Sequence, residues 1–308
     1  MSVTKNECVF TSVVGDAQIH VVSWKPEGTP KAVFQFSHGM AEYIDRYDGM
    51  ARYLAEHGYA VYGNDHLGHG QSVNDKYPLG YFGKDNECGR VFVEDLKRVT
   101  DLIKVENPGK KIVLFGHSMG SFLARLYLAK YSDQVDAAII CGTAGPNPAI
   151  GPALAMTKVL SGTSSKKDGK LMNSMAFGTY NKTTSKRTAF DWLSYNEENV
   201  DTYIADPLCG FLFSNQGFRD LITMNNVMCK KEAFEGCRND IPLLLVAGED
   251  DPVGAYGKGV QQTVESYKNS GHTNVECKMY NSRHEIHNEK NPEGFYDDLI
   301  AFAEKTLA

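Results

Sequence analysis

IVLFGHSMGSFLARLYL, residues 112–128, places an apolar run, a serine between two glycines and a helix-like stretch in direct succession. In a tight turn between a strand and a helix, the central residue, Ser118, adopts a strained backbone conformation for which only Gly116 and Gly120 leave room. The pattern G-x-S-x-G alone is short and arises by chance in loops. With a strand before it and an amphipathic helix after it, the segment predicts a nucleophile elbow that lifts the Ser118 hydroxyl above the edge of a sheet.

The rest of the chain alternates between strand and helix patterns. Two segments at 8–13 and 19–24 predict an antiparallel hairpin at a sheet edge, with Gly15 and Asp16 in the turn. Apolar strands follow at 32–36, 59–62, 112–115, 137–140, 243–247 and 275–280, and helical stretches at 45–57, 89–106, 119–131, 258–269 and 292–306. This alternation predicts right-handed crossovers and a mostly parallel eight-stranded sheet flanked by helices, an α/β architecture.

The alternation stops between residues 145 and 235. This interval contains Pro146, Pro148 and Pro152 and apolar helical pieces at 153–160 and 218–227. It is too long and too apolar to be a loop. We therefore predict an inserted helical cap at 145–235, which divides the α/β core into residues 1–144 and 236–308.

Composition and charge exclude several classes of protein. The 308 residues carry a net charge of −6, and the basic residues are scattered, so the chain offers no electrostatic surface for nucleic acid. The start, MSVTKNECVF, lacks the apolar core of a signal peptide, and no run reaches the roughly 18 apolar residues of a membrane span. We expect a cytoplasmic protein.

The cysteines and the glycine-rich segments indicate neither a cofactor nor a metal. Seven cysteines, an odd number without a C-x-x-C pair, predict reduced and mostly buried thiols rather than a disulfide framework or a zinc site. GAYGKG at 254–259 matches no phosphate-binding pattern and is interpreted as a turn.

A serine hydroxyl is a weak nucleophile, so the site needs a base and a third group that holds the base in the right tautomer. In a parallel sheet these groups come from loops at the carboxyl ends of the strands. His284 lies in the loop after the last predicted strand, where the chain order serine, acid, histidine places the base.

The acid is expected directly after the strand at 243–247, where Glu249, Asp250 and Asp251 follow one another. Pro252 biases Asp251 towards an extended backbone and so fixes the direction of its side chain. Three close carboxylates repel one another, so two are expected to face solvent. Asp251 is favoured over Asp250, and Glu249 ranks third.

The other histidines are assigned supporting or structural roles. Four lie at strand ends beside glycines and are expected to orient or cap neighbouring groups: His38, His66, His69 and His117. Structural or solvated positions are expected for His20, His57 and His272, and His287 is expected to open the final helical region.

The negatively charged oxygen that forms during acyl transfer needs two backbone donors. One is the amide of the residue after the nucleophile, Met119. The second is expected from the loop after the strand at 32–36, where the sequence predicts the Met40 amide.

Six segments occur in one order between about residue 10 and the C-terminus: SHGMAEYIDRY at 37–47, DHLGHGQS at 65–72, GHSMG at 116–120, VDTYIADPL at 200–208, GEDDPVG at 248–254 and RHEIHNE at 283–289. Together they resemble the monoacylglycerol lipase and lysophospholipase branch of the α/β-hydrolases, a group often described as serine aminopeptidase-like. The resemblance implies an α/β-hydrolase fold with Ser118 as nucleophile, Asp251 as acid and His284 as base. It also implies an oxyanion hole of the Met40 and Met119 amides and a lid, 145–235, over an acyl-chain tunnel.

The leading hypothesis is a serine esterase or lipase that cleaves lipophilic esters, of monoacylglycerol or lysophospholipid type, through an acyl-enzyme. An aminopeptidase would need an acidic pocket for a free amine, for which the cap offers Glu197, Asp201 and Asp206. An epoxide hydrolase would need a carboxylate at Ser118 and is discarded. A non-catalytic ligand-binding protein remains an alternative because fold does not fix function, although the serine, acid and histidine argue against it.

Apolar residues of the cap predict either a small core of its own or the wall of an acyl-chain slot above Ser118. They are Ile150, Leu154, Met156, Leu160, Met172, Met175, Phe177, Phe211, Phe213, Leu221 and Met224. An apolar cap over the site also predicts transient contact with a membrane surface.

Overall fold

The computed structural model describes residues 2–84 and 86–307, which build one eight-stranded sheet. The strands are β1 Val3–Thr11, β2 Gln18–Pro26, β3 Val33–Ser37, β4 Ala60–Asn64, β5 Ile112–His117, β6 Ala137–Cys141, β7 Leu243–Gly248 and β8 Val275–Tyr280. Their order across the sheet is β1-β2-β4-β3-β5-β6-β7-β8. Only the pairs β1–β2 and β2–β4 are antiparallel, and every other pair is parallel. The predicted mostly parallel eight-stranded sheet is confirmed.

Helices cover both faces of this sheet. The helices of the α/β core are α1 Asp48–Glu56, α2 Arg90–Glu106, α3 Met119–Tyr131, α9 Lys258–Asn269 and α10 Glu293–Leu307. Side chains of α1 and α10 share one apolar cluster with the sheet, whereas those of α2, α3 and α9 share another. No helix within the described ranges is both long and apolar enough to cross a membrane.

The central strands are apolar because both of their faces are covered. Every residue of β3, β4, β5, β6 and β7 is buried, which explains why these strands appear in the sequence as continuous apolar runs. The hairpin differs from the expected alternation, since β2 is buried along most of its length while β1 is largely exposed. The reason is the position of each strand: β2 lies between β1 and β4, whereas β1 forms the edge of the sheet on this side.

The interval assigned to the cap contains five α-helices between β6 and β7. They are α4 Ile150–Ser164, α5 Lys170–Phe177, α6 Glu197–Ala205, α7 Asn215–Met228 and α8 Lys231–Glu235. The Ser214 hydroxyl caps α7 by accepting a hydrogen bond from the Gly217 amide. α7 packs on α4 and on α3 of the core, so the C-terminal part of the interval is attached directly to the helix that follows Ser118.

The contact between α3 and the end of β3 leaves no space for a side chain at Gly120. A Cβ atom there would overlap the backbone carbonyl of Ser37. We predict that Gly120→Ala lowers the free energy of unfolding by about 3 kcal/mol or more, because backbone must shift to relieve the overlap. Thermal or urea unfolding followed by circular dichroism measures this loss.

Gly162→Ala is the matched control. Gly162 lies inside α4, and a Cβ atom built on it meets no other atom within 4 Å. Alanine should therefore stabilise that helix, by roughly 0.5–1 kcal/mol. Equal stability of the two variants would contradict the close approach at Gly120.

Candidate active site

Ser118 occupies the turn between β5 and α3. Its backbone has φ 53° and ψ −120°, a conformation that is strained for any residue with a side chain. Gly116 precedes it and Gly120 follows it, and a Cβ on Gly116 would overlap the Gly120 carbonyl. The structure thus places Ser118 at the N-terminus of α3, where free amides and the helix dipole favour negative charge.

Asp251 and His284 meet in loops that follow adjacent strands. His284 Nδ1 donates to Asp251 Oδ2 at 2.9 Å, and both side chains are fully buried. The second oxygen, Asp251 Oδ1, accepts from the Val253 amide at 2.8 Å, which fixes the carboxylate plane. A buried carboxylate in this position holds the proton on Nδ1 and leaves Nε2 as the basic nitrogen.

The two neighbouring carboxylates face away from His284. Glu249 and Asp250 are exposed, and Asp250 Oδ2 accepts a short hydrogen bond from the hydroxyl of Tyr195 in the cap. Of the three acids after β7, the structure brings only Asp251 to the histidine.

Ser118 and His284 line the same cavity. The His284 ring fits against Gly142, where a Cβ would lie 3.0 Å from Cε1 of the ring, and it packs 5.2 Å from the Trp192 ring centroid. No hydrogen bond joins the Ser118 hydroxyl to His284 within the described chain. In proteins without a bound substrate such contacts are often long and tighten only when the reacting group is present.

The loop after β3 is fixed around the Gly39–Met40 peptide. His38 Nδ1 donates to the Gly39 carbonyl at 2.8 Å, while the Gly39 amide donates to Glu42 Oε1 at 2.6 Å. Because the carbonyl and the amide of a trans peptide point in opposite directions, holding the Gly39 carbonyl aims the Met40 amide to the other side. Met40 and Met119 both line the cavity, and neither amide donates to any residue in the described ranges.

The histidines near the site take part in this framework through hydrogen bonds. His38 Nε2 accepts from the His66 amide at 2.9 Å, and burial lowers the pKa of His38. Burial together with the charge of His38 lowers the pKa of His69 to about 3. His117 Nε2 donates to the His284 carbonyl at 3.2 Å, so the residue before Ser118 contacts the backbone of the histidine loop.

Glu42, Arg46 and Glu285 form a buried charged cluster that sequence reasoning missed. Arg46 contacts both carboxylates, and burial of the three groups is nearly complete. Burial alone would raise the pKa of Glu285, but the positive charge and hydrogen bonds of Arg46 lower it to about 2. A signal existed, because Glu42 and Arg46 stand four residues apart in a segment that follows an apolar strand.

The cavity has a volume of about 1170 Å³ and lies between the core loops and the cap. Five of the apolar cap residues line it: Ile150, Met175, Phe177, Phe211 and Leu221. Five others belong to or pack against the main apolar core or its margin instead: Met156, Leu160, Met172, Phe213 and Met224. The expectation of a separate core for the cap is wrong for these five residues, because they pack in one cluster with side chains of α2 and α3. The first five line the cavity that contains Ser118, and an acyl-chain slot there stays a prediction.

The carboxylates considered for an amine pocket do not line this cavity. Asp201 is exposed and pairs with Arg187 at 2.6 Å, and Glu197 is exposed beside the same arginine. Asp206 accepts from the Tyr43 hydroxyl at 2.7 Å. The acids that do line the cavity, Glu42 and Glu285, are already paired with Arg46.

A family model described as serine aminopeptidase, S33, matches residues 28–291 of this chain. The chain belongs to this family. The family relatives include the monoglyceride lipase of Mus musculus, which is 31% identical over 271 residues, spanning 88% of this chain and 80% of the mouse protein. The monoacylglycerol lipase of Mycolicibacterium smegmatis is 28% identical over 309 residues, spanning 98% of each chain. The predicted resemblance is confirmed.

Solved structures of an esterase and a lipase share the architecture. A thermostable carboxyl esterase from Bacillus coagulans superposes with a TM-score of 0.91 at 27% identity, covering 99% of each chain. A soluble variant of the Saccharomyces cerevisiae monoglyceride lipase superposes with a TM-score of 0.75 at 17% identity, which shows a common fold. The predicted α/β-hydrolase fold is thereby confirmed.

Asp251 should control the ionisation of His284. Burial lowers the pKa of His284, but the charge and the hydrogen bond of Asp251 outweigh it, and the pKa is raised above its ordinary value of about 6.5. We predict that Asp251→Asn brings this pKa below the ordinary value, because burial then acts without the opposing charge. A histidine titration by nuclear magnetic resonance measures the change.

The raised pKa of His284 also determines how the contribution of this pair to stability changes with pH. A raised folded-state pKa means that the protonated pair stabilises the fold fully below about pH 6.5, and that this contribution is lost as the pH rises through the folded pKa. Asp250→Asn is the control and should leave the titration of His284 unchanged. An unchanged pKa in Asp251→Asn would contradict the described pairing.

Proposed function

We propose that this protein is a serine hydrolase that cleaves lipophilic carboxylic esters, of monoacylglycerol or lysophospholipid type, through an acyl-enzyme intermediate. The family and the lipase and esterase relatives make it a carboxylic ester hydrolase. The observation that carries the finer proposal is the placement of Ser118. It stands on a strained turn in the wall of an apolar-lined cavity that it shares with His284, whose hydrogen-bond partner Asp251 is buried.

In the first half of the proposed reaction, Ser118 Oγ attacks the ester carbonyl carbon and passes its proton to His284 Nε2. The carbonyl oxygen becomes negatively charged and accepts from the amides of Met40 and Met119. His284 then gives the proton to the leaving alcohol oxygen as the carbon–oxygen bond breaks, which leaves the acyl group on Ser118.

In the second half, a water molecule takes the place of the alcohol. His284 removes its proton and the hydroxide oxygen attacks the acyl carbon. His284 then returns the proton to Ser118 Oγ as the bond between that oxygen and the acyl carbon breaks and the fatty acid leaves. Asp251 stays ionised throughout and stabilises the imidazolium that forms twice in the cycle.

The lining of the cavity supports an acyl group as the larger part of the substrate. Cap residues such as Met175, Phe177 and Leu221 give it apolar walls, as is usual where a ligand buries hydrocarbon. The printed names of the mouse and mycobacterial relatives, monoglyceride and monoacylglycerol lipase, support the ester class. The aminopeptidase alternative receives no support from Glu197, Asp201 or Asp206, because none of them lines the cavity.

The triad proposal predicts a large loss of activity in each of three variants. Ser118→Ala, His284→Ala and Asp251→Asn should each lower kcat by about 10⁴-fold or more, since the three side chains act as one unit. Steady-state hydrolysis of p-nitrophenyl butyrate measures the loss, with thermal unfolding of each variant as the check on folding.

Asp250→Asn is the matched control for Asp251→Asn, because it removes the adjacent exposed carboxylate. It should keep kcat within a few-fold of the wild type. Equal losses in the two variants, or a larger loss at Asp250, would overturn the assignment of the acid.

The cavity lining predicts a preference for longer acyl chains. Each buried methylene contributes up to about 0.8 kcal/mol, which is roughly a fourfold gain in kcat/KM until the slot is full. We expect kcat/KM to rise from acetyl to medium-chain p-nitrophenyl esters of about eight carbons.

Leu221→Asn tests whether the cap wall is responsible, because Leu221 lines the cavity and is nearly buried. This variant should flatten the dependence on chain length more than it affects the acetyl ester. A flat or falling profile in the wild type would refute the acyl slot and favour a small-ester or peptide substrate.

A further inference from the structure

Arg46 is enclosed between two glutamates behind the cavity. Its Nη1 lies 2.5 Å from Glu42 Oε2 and 2.8 Å from Glu285 Oε1, and its Nη2 lies 2.7 Å from Glu285 Oε2. The exposed fractions of the side chains are 9% for Arg46, 3% for Glu42 and 2% for Glu285. Glu285 therefore accepts two charge-assisted hydrogen bonds from Arg46, one on each carboxylate oxygen, in a nearly water-free environment.

Each end of this cluster contacts a different loop of the site. Glu285 directly follows His284, and its amide donates to the Leu193 carbonyl of the cap at 2.7 Å. Its carboxylate also accepts from Asn199 Nδ2 of α6 at 2.8 Å. At the opposite end, Glu42 receives the Gly39 amide of the loop that carries Met40. The histidine loop, the cap and the loop after β3 are joined through one guanidinium.

Stability alone does not account for such a cluster. Removing charges from water costs several kcal/mol per ion, so a buried ion pair contributes little net stability compared with packed apolar side chains. Two carboxylates around one guanidinium also leave a net negative charge close to His284. The cluster is costly to bury and lies next to the proposed base. This points to a role in the position and charge environment of His284.

We propose that Glu285, held by Arg46, is a positioning residue that fixes the His284 loop against the cap and contributes negative charge beside the imidazole. The inference rests on the proposed function, in which His284 is the base. Glu285 acts through His284 and takes no part in bond making or breaking.

Other charged and titratable groups near His284 also influence its ionisation. They come from the loop after β7, the ends of β5 and β6, the segment after β3 and the histidine loop itself: Asp251, His117, Cys141, Glu42, Arg46 and His287. Burial and the neighbouring His117 lower the pKa of His287 to about 3, so His287 adds no charge near neutral pH. Replacing Glu285 by glutamine balances the charge of Glu42 against that of Arg46.

Kinetic constants of Glu285→Gln and Glu285→Asp across pH test the proposal with p-nitrophenyl butyrate. In Glu285→Gln we expect kcat to fall about 10- to 100-fold, with KM within about threefold, because a small misplacement of the base slows the chemical step. The acidic limb of kcat/KM should move to lower pH. The variant lacks a negative charge that stabilises the protonated imidazole of His284, so the pKa of His284 falls.

Glu285→Asp separates charge from position. It keeps the charge but shortens the reach to Arg46, so the acidic limb should stay near the wild-type pH while kcat falls. Asn199→Ala removes the hydrogen bonds that Asn199 of α6 makes with Glu285 and Arg46, and it should lower kcat by a smaller factor than the glutamate variants do. This variant keeps the proposal testable if the glutamate variants do not fold.

Asp95→Asn is the matched control for a buried carboxylate outside the site. Asp95 accepts from the Ser12 hydroxyl at 2.6 Å and the Val13 amide at 2.9 Å, and it does not line the cavity. Its variant should lose thermal stability but keep kcat and the acidic limb. Wild-type kcat and an unmoved limb in Glu285→Gln, or an unchanged kcat in Asn199→Ala when the glutamate variants do not fold, would overturn the proposal. Absence of wild-type hydrolysis, or full activity in Ser118→Ala, would instead overturn the proposed function.

Discussion

The close approach of α3 to the end of β3 is the constraint on which the rest of the structure depends. Gly120 lets the helix start directly against the Ser37 carbonyl, and Gly39 leaves the Ser118 side chain room at the same place, since a Cβ on Gly39 would lie 3.2 Å from Ser118 Cβ. Two missing side chains thus bring the start of a helix and the loop after β3 together. The amides of Met40 and Met119 consequently face one cavity.

Electrostatics then divide the site into a charged back and an apolar front. On the core side of the cavity, buried acids are paired with Arg46 or with His284, so that each carboxylate has a specific partner. In front, the cap supplies aromatic and aliphatic walls. On the apolar side, burial of a hydrocarbon chain is favourable because it removes apolar surface from water. The proposed proton transfers take place on the charged side, where the charges are held in fixed positions. The histidine loop separates the two environments and touches both.

Short-range patterns made much of this predictable from the sequence. The strand, turn and helix around Ser118 lie within 20 residues, 112–131, and the parallel strands are apolar because helices cover both faces. Pro252 gave a local reason to favour Asp251. The Arg46–Glu285 contact joins residues 239 positions apart, and no local pattern encodes such a pairing. The division of cap residues between core and cavity likewise depends on tertiary packing, because all of them are apolar in the sequence.

The central claim is that the acyl group passes through Ser118, and the covalent intermediate itself tests it most directly. The protein is mixed with p-nitrophenyl butyrate, quenched in acid within the first turnovers, digested and analysed by mass spectrometry. The account predicts a butyryl group on the peptide that contains Ser118, with a burst of p-nitrophenol of matching amount. Butyrylation of a different residue, or turnover without any acylated peptide under conditions that show a burst, would contradict it.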